Sequence, residues 1–354
     1  MNHRPRTPEA LWIGLLWVIA WACAWELLVM ERILELHEGP PRTALIALGF
    51  MLAVGSAPWA TRALGRSRLR YLPLLVLGVI AIREGFRGVL RHRYVASAPV
   101  KRIAPSESLW HPVTTTDLAL SYYALTARQL SAERLRIVAL SDLHVTPALP
   151  AEYYDQVRAL VAEQDADLIL LTGDNVSRPE HIELLARVFA RGWRARLGIF
   201  AVLGNHDFWA DAARVRDTFN AAGVTLVENE CRHLPQSVGR IAICGTDAPW
   251  GPELTVPLDR DALDIVLSHT PDNIYRLAEQ GASLVFAGHT HAGQIRVPGI
   301  GSIVVPSRYG RVFDEGHFQV DGVDLFVSAG VGADDPALRV YCPPEIFVVD
   351  LSRE

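Results

Sequence analysis

Arg136-Ile137-Val138-Ala139-Leu140-Ser141-Asp142-Leu143-His144 reads as a buried strand that ends in a carboxylate and an imidazole. The same arrangement recurs four more times along the chain. Apolar runs at residues 168–171, 199–203, 265–267 and 284–287 lead into Gly173-Asp174, Gly204-Asn205-His206-Asp207, His269 and Gly288-His289-Thr290-His291. Continuous apolar runs mark strands covered on both faces, and polar groups gathered at strand ends mark an α/β sheet with its chemistry at one edge. Helices are expected between these strands at residues 151–163, 181–191, 210–222 and 271–279. Beyond Ile295 the chain turns β-rich, with strands expected at 302–305, 317–320, 324–328 and 346–351. Alternating strand–helix units followed by many strands predict two packed sheets covered by helices.

The residue types point to bound cations. Imidazole and carboxylate suit Zn, Fe and Mn, whereas a thiolate-rich set would select differently. Two divalent cations roughly 3.5–4 Å apart can neutralise a phosphoryl group and activate a water near pH 7. Holding them that close requires an anion between them, and Asp174 is the candidate, offering one oxygen to each. Any one block has a plain alternative reading. Gly-Asp is commonly a turn, and a lone strand-end histidine such as His269 is commonly a core or surface residue. Gly-His-Thr-His and Gly-Asn-His-Asp are rarer strings, and all five blocks in order favour a metal site.

At these blocks the chain resembles the calcineurin-like metallophosphoesterases, whose pattern is D-x-H, G-D, G-N-H-[DE], a lone His and G-H-x-H. The resemblance implies a four-layer α/β/β/α sandwich and two divalent metal ions. It implies Asp142, His144 and His291 on one metal, Asn205, His269 and His289 on the other, and Asp174 shared. It also implies that His206 protonates the leaving oxygen while Asp207 orients its ring, since general-acid work needs an imidazole free of metal. A narrower likeness covers Gly288-His289-Thr290-His291-Ala292-Gly293-Gln294-Ile295, Val327-Ser328-Ala329-Gly330-Val331-Gly332, Leu338-Arg339 and Pro343-Pro344-Glu345-Ile346. It is similar to the membrane-associated bacterial branch, with its YkuE-like and YaeI-like phosphodiesterases and LpxG-type hydrolase of UDP-2,3-diacylglucosamine. Ala292, Asn175 and Ser177 depart from the branch's usual residues.

Composition changes near Arg91. Residues 11–30 form a near-continuous apolar stretch interrupted by Glu26, long enough to span a bilayer, and residues 43–60 form a second candidate. Residues 72–82 are short for a span unless the flank to Phe86 is included. An alternative for the first stretch is a cleaved signal peptide, with Arg4 and Arg6 ahead of it and Ala22-Cys23-Ala24 as cleavage site. Arg62, Arg66, Arg68 and Arg70 follow the second stretch, and more arginines follow the third. Counting positive charge inside favours two crossings, residues 72–86 in the interface, and a catalytic domain on the cytoplasmic side of the bacterial inner membrane, whereas a third crossing would put that domain on the opposite face. The expected division is a membrane region at 1–95, a linker and edge strand at 96–133, and a metallophosphoesterase domain at 134–354.

The 354 residues allow one α/β domain of ordinary size plus a smaller region, and the net charge of −5 offers no polybasic case for nucleic acid. Cys23, Cys231, Cys244 and Cys342 show no C-x-x-C spacing, so no disulfide framework is expected. Trp209, Asp247, Trp250 and Arg308 are expected at the pocket rim. Three functions fit the sequence. The first is a membrane-anchored phosphohydrolase of a phosphodiester or pyrophosphate, on a lipid-linked substrate. The others are a phosphatase or phosphodiesterase of soluble nucleotides or phosphoproteins, and a non-catalytic interaction module. The last should have lost ligand residues, and every ligand position here is filled.

Overall fold

Two seven-stranded sheets carry most of the chain. The strands are β1 (Val95–Ser97), β2 (Lys101–Ile103), β3 (Ala119–Thr126), β4 (Arg134–Leu140), β5 (Leu168–Leu171), β6 (Gly198–Ala201), β7 (Thr225–Leu226) and β8 (Cys231–His233). They continue as β9 (Ile241–Thr246), β10 (Leu263–Ser268), β11 (Leu284–Ala287), the small β12 (Arg296–Val297) and β13 (Gly301–Ser302) pair, β14 (Gly316–Val320), β15 (Val323–Val327) and β16 (Glu345–Ser352). One sheet runs β2-β3-β16-β4-β5-β6-β7 and the other β1-β14-β15-β11-β10-β9-β8. The strands that precede the polar blocks, β4, β5 and β6 in one sheet and β10 and β11 in the other, pair in parallel with their neighbours of that set. Their C-terminal ends therefore point the same way within each sheet.

Side-chain alternation explains why these strands are apolar throughout. In β4, Val138 and Leu140 join Val157, Val161, Leu185 and Phe219 of the covering helices, while Ile137 and Ala139 face Ile265, Leu267 and Phe286 of the second sheet. Those helices are α2 (Ala151–Ala162), α3 (Ile182–Phe189) and α4 (Asn205–Ala221); α5 (Ile274–Gln280) lies against β14. Helix α4 begins five residues earlier than the apolar periodicity predicts. Gly204 caps it, and Asp207 in its first turn accepts the Gly204 N–H, so the Asn205-His206 block is itself the first turn. Between the sheets Phe326 stacks on Phe286 and His317 and meets Tyr123 and Phe347 edge-on.

Two expectations change here. Within residues 96–133 the edge strand is the short β2, while the longer β3 lies inside the sheet, paired in parallel with β16 along eight residues. Cys231 and Cys244, directly opposite on β8 and β9, form a disulfide that their spacing of 13 did not signal. Antiparallel register brings together what sequence distance separates. Cys342 is a free, buried thiol.

The computed structural model describes residues 15–21, 52, 56, 72–105, 108–190, 192–302, 304–334 and 336–354. These divide into a larger unit, Tyr94–Val305 with Phe313–Glu354, and a smaller one, Met1–Arg93 with Pro306–Val312. In the smaller unit α1 (Leu72–Tyr94) runs well past the short apolar segment. Glu84 holds Arg87 and Arg311, and Arg91 donates to the Val312 carbonyl. Among the described residues no helix is long and apolar enough to cross a membrane. The spans expected at residues 11–30 and 43–60 lie outside the described residues, apart from 15–21, 52 and 56.

Phe326→Ala should cost about 3–5 kcal/mol, because it empties a fully buried aromatic site between the sheets; chemical denaturation of the two proteins reads it. Maleimide labelling of unfolded, unreduced protein should spare Cys231 and Cys244 and mark Cys342, with reduction opening the other two.

Candidate metal centre

Each polar block follows a strand, and the backbone at several of them is in the left-handed region. Asp142, His144, Asp174, His289 and His291 all have φ between 38° and 68°. For non-glycine residues this conformation is uncommon and costs on the order of 1–3 kcal/mol each, so a cluster of it marks a place where side-chain aim outweighs backbone comfort. Two glycines permit the approach. A Cβ on Gly204 would collide with the Asp174 carboxylate, and one on Gly288 with Ser141 Oγ and Asp142 Oδ2.

Seven side chains from five stretches meet. His291 Nε2 lies 3.0 Å from His144 Nε2 and 3.3 Å from Asp142 Oδ1. His269 Nε2 lies 3.1 Å from Asn205 Oδ1 and 3.2 Å from His289 Nδ1. Asp174 turns Oδ2 to both groups, 3.7 Å from His144 Nε2 and 3.0 Å from His269 Nε2. Its Oδ1 accepts the His206 backbone N–H at 2.8 Å, which fixes the carboxylate's orientation between the two groups. Asp142-His144-His291 and Asp174-His269-His289 are each compact enough to hold a metal ion, as is the set His144-Asp174-His206. All of these residues are buried.

The donor chemistry fits cations. His269 Nδ1 is 2.8 Å from the Thr172 carbonyl, which can only accept, so the ring's proton sits on that nitrogen. The lone pair on Nε2 then points at Asp174 Oδ2, Asn205 Oδ1 and His289 Nδ1, a cluster of acceptors that repel one another unless positive charge lies among them. Burial opposes a charge on His269, yet the Asp174 carboxylate beside it pushes its pKa up to about 9. Burial, with His206 and His269 as neighbours, pushes His144 down to about 4, and burial with His269 pushes His289 down to about 3. These imidazoles are held neutral, the form that ligates a metal. Burial alone would raise Asp174, but His269 and His206 carry it well below the usual carboxylate range.

His206 is nearly buried, with its ring edge-on to His144 and tilted against Trp209. The expectation that Asp207 orients this ring is corrected. Asp207 spends both oxygens on the Asn175 and Val176 N–H groups, the Asn175 amide and the Gly204 N–H. It ties two site loops together and makes no bond to the imidazole. Among the rim candidates, Trp250 packs on His289 and His269. Asp247 is fully buried, accepting the Leu203 N–H, so it supports the loop from behind rather than lining a rim. Arg308 belongs to the smaller unit.

Other contacts had no legible signal. Ser177 Oγ sits 2.5 Å from His144 Nδ1, fixing the ring from the far side. Arg339 is fully buried and donates to the Gly332, Ala329 and Gly330 carbonyls, stiffening the loop whose Val331 and Gly332 N–H groups reach Ser141 and Asp142. Asp334 faces His206. Arg339 and Gln294 stood inside motif strings but had no role there, and nothing in sequence ties Asp334 to a residue more than a hundred positions away.

The family description calcineurin-like phosphoesterase matches residues 135–293, from the start of β4 to the loop after His291. The chain is 32% identical over 225 residues to the metallophosphoesterase YkuE of Bacillus subtilis, covering 61% of this chain and 78% of that protein. It is 29% identical over 233 residues to the phosphodiesterase YaeI of Escherichia coli, covering 62% and 83%. It is 26% identical over 216 residues to the UDP-2,3-diacylglucosamine pyrophosphatase LpxG of Chlamydia trachomatis, covering 46% and 65%. With the family match, the ligand-type residues and the kinship in agreement, this chain belongs to the calcineurin-like phosphoesterases and is a metal-dependent phosphoric ester hydrolase.

Proposed function

We propose that this chain hydrolyses a phosphodiester or pyrophosphate bond of a lipid-linked substrate, tethered to the membrane by its N-terminal region. The observation that carries the reading is the single Asp174 oxygen facing two imidazole-bearing clusters. Asp142, His144 and His291 would hold one divalent cation, Asn205, His269 and His289 the other, with Asp174 between. Bound there, such ions neutralise phosphoryl charge and bring the pKa of a water down to about 7. The chain's own part is to aim the phosphoryl group, keep water ordered and deliver a proton. Trp250 walls His269 and His289, Trp209 packs on His206, and His206, outside the two proposed ligand sets, gives its proton to the leaving oxygen.

Three features support the membrane side of the reading. Residues 11–30 and 43–60 are apolar. Leu75, Val79, Ile82, Phe86 and Val89 form an exposed stripe at alternating spacings of four and three along α1, the mark of a helix face that lies against apolar matter. LpxG, by its name, acts on a diacylated sugar nucleotide. The disulfide bears on sidedness. Disulfides persist where thiols are kept oxidised, which weighs against the cytoplasmic side that the arginine count favours.

Asp174→Asn should strip both metals and abolish turnover, with metal content read by elemental analysis. His206→Ala should keep the metals and lower kcat by about 10²–10⁴-fold on esters whose leaving group needs a proton. Substrate class is tested with Mn-loaded full-length protein on UDP-2,3-diacylglucosamine against soluble nucleotide diesters. Faster hydrolysis of the soluble set would overturn the lipid-linked assignment, and no turnover of any ester would overturn the reading as a whole.

A further inference from the structure

The His206 ring lacks the carboxylate that the sequence assigns to it, because Asp207 is committed to backbone N–H groups. A different carboxylate is in place. Asp334 Oδ1 lies 4.0 Å from His206 Nε2, on the loop that follows β15, with its side chain about one-fifth exposed. His206 Nδ1 is buried and has no hydrogen-bond partner among the described residues. One ring nitrogen thus faces an acid and the other makes no hydrogen bond that would fix the ring.

Asp334 does not stand there by accident of a loose loop. Gln294 grips its backbone at two points: the amide oxygen accepts the Asp334 N–H at 2.9 Å, and the amide nitrogen donates to the Asp334 carbonyl at 3.2 Å. Gln294 itself sits at φ 58°, three residues past His291, in the motif string that the metal clusters leave unexplained. A primary amide carries both a donor and an acceptor, so it can pair with the N–H and the C=O of one residue at once. Closing the remaining distance to a hydrogen bond takes about 1 Å, within the tightening that catalytic contacts undergo when substrate binds.

We propose that Asp334, held by Gln294, is the positioning residue for His206: its carboxylate orients the imidazole and balances the charge of its protonated form. The inference rests on His206 acting as the proton donor. In that step the water oxygen bonds to phosphorus while the P–O bond to the leaving group breaks with its electron pair on the leaving oxygen; His206 supplies that oxygen's proton, and the proton given up by the water restores the ring.

The test is a series of aryl phosphodiesters of rising leaving-group basicity, from bis(p-nitrophenyl) phosphate to diphenyl phosphate, with full-length Mn-loaded protein. p-Nitrophenolate departs without a proton, whereas phenolate needs one. Asp334→Asn should lower kcat on diphenyl phosphate by about 10–100-fold, far less on bis(p-nitrophenyl) phosphate, with KM and metal content unchanged. Gln294→Ala should show the same pattern more weakly, and His206→Ala more strongly. A flat loss across the series, a loss of metal, or no loss in Asp334→Asn while His206→Ala keeps the steep pattern would overturn the assignment of Asp334 alone. A flat series in His206→Ala would overturn the proton-donor role and this inference with it.

Discussion

One carboxylate oxygen governs the structure of this site. Asp174 Oδ2 is buried among imidazole nitrogens and an amide oxygen whose lone pairs converge on it. Such a gathering is unfavourable in a medium of low dielectric unless positive charge lies inside it. The raised basicity of His269 beside Asp174 expresses that demand, since a proton settles where the field is strongest. The surrounding devices serve this concentration of acceptors: left-handed backbone at five of the convergent residues, glycines where a methyl would collide, and Asp207 fastening two loops from behind.

The scaffold has to resist that strain. Parallel strands deliver their C-terminal ends to one place, and the layer between the sheets fixes the distance across which the two groups of ligands meet. Phe326, Phe286, Tyr123 and Phe347 interlock there at ring distances of 5.1–6.0 Å, so the sheets cannot slide without losing aromatic contact. Arg339 does the equivalent work for the loop behind Asp142. A guanidinium with no exposed surface is tolerated because backbone carbonyls take its protons, and in return it locks the glycine-rich turn from Ala329 to Gly332.

The two units answer to different physical demands. The larger is closed by cross-strand pairing and a disulfide. The smaller pairs the charges of Glu84, Arg87 and Arg311 along one side of α1 and leaves apolar residues on another. An amphipathic helix of that kind keeps its charged side chains satisfied within the protein while its bare face is suited to an apolar environment.

Sequence by itself determined the α/β class, the order of the strands that end in ligand-type residues, and the seven side chains that converge, because each signal is local: an apolar run and the polar group just beyond it. It also placed helices at residues 151–163 and 271–279 close to where they lie. What only the tertiary structure decided is how the Asp174 carboxylate is turned toward His144 and His269, what Asp207 holds, which acid faces His206, and that Cys231 meets Cys244. Each of these depends on where side chains from distant strands end up in space. Register and loop conformation set that, and a reading of residue types in order carries neither.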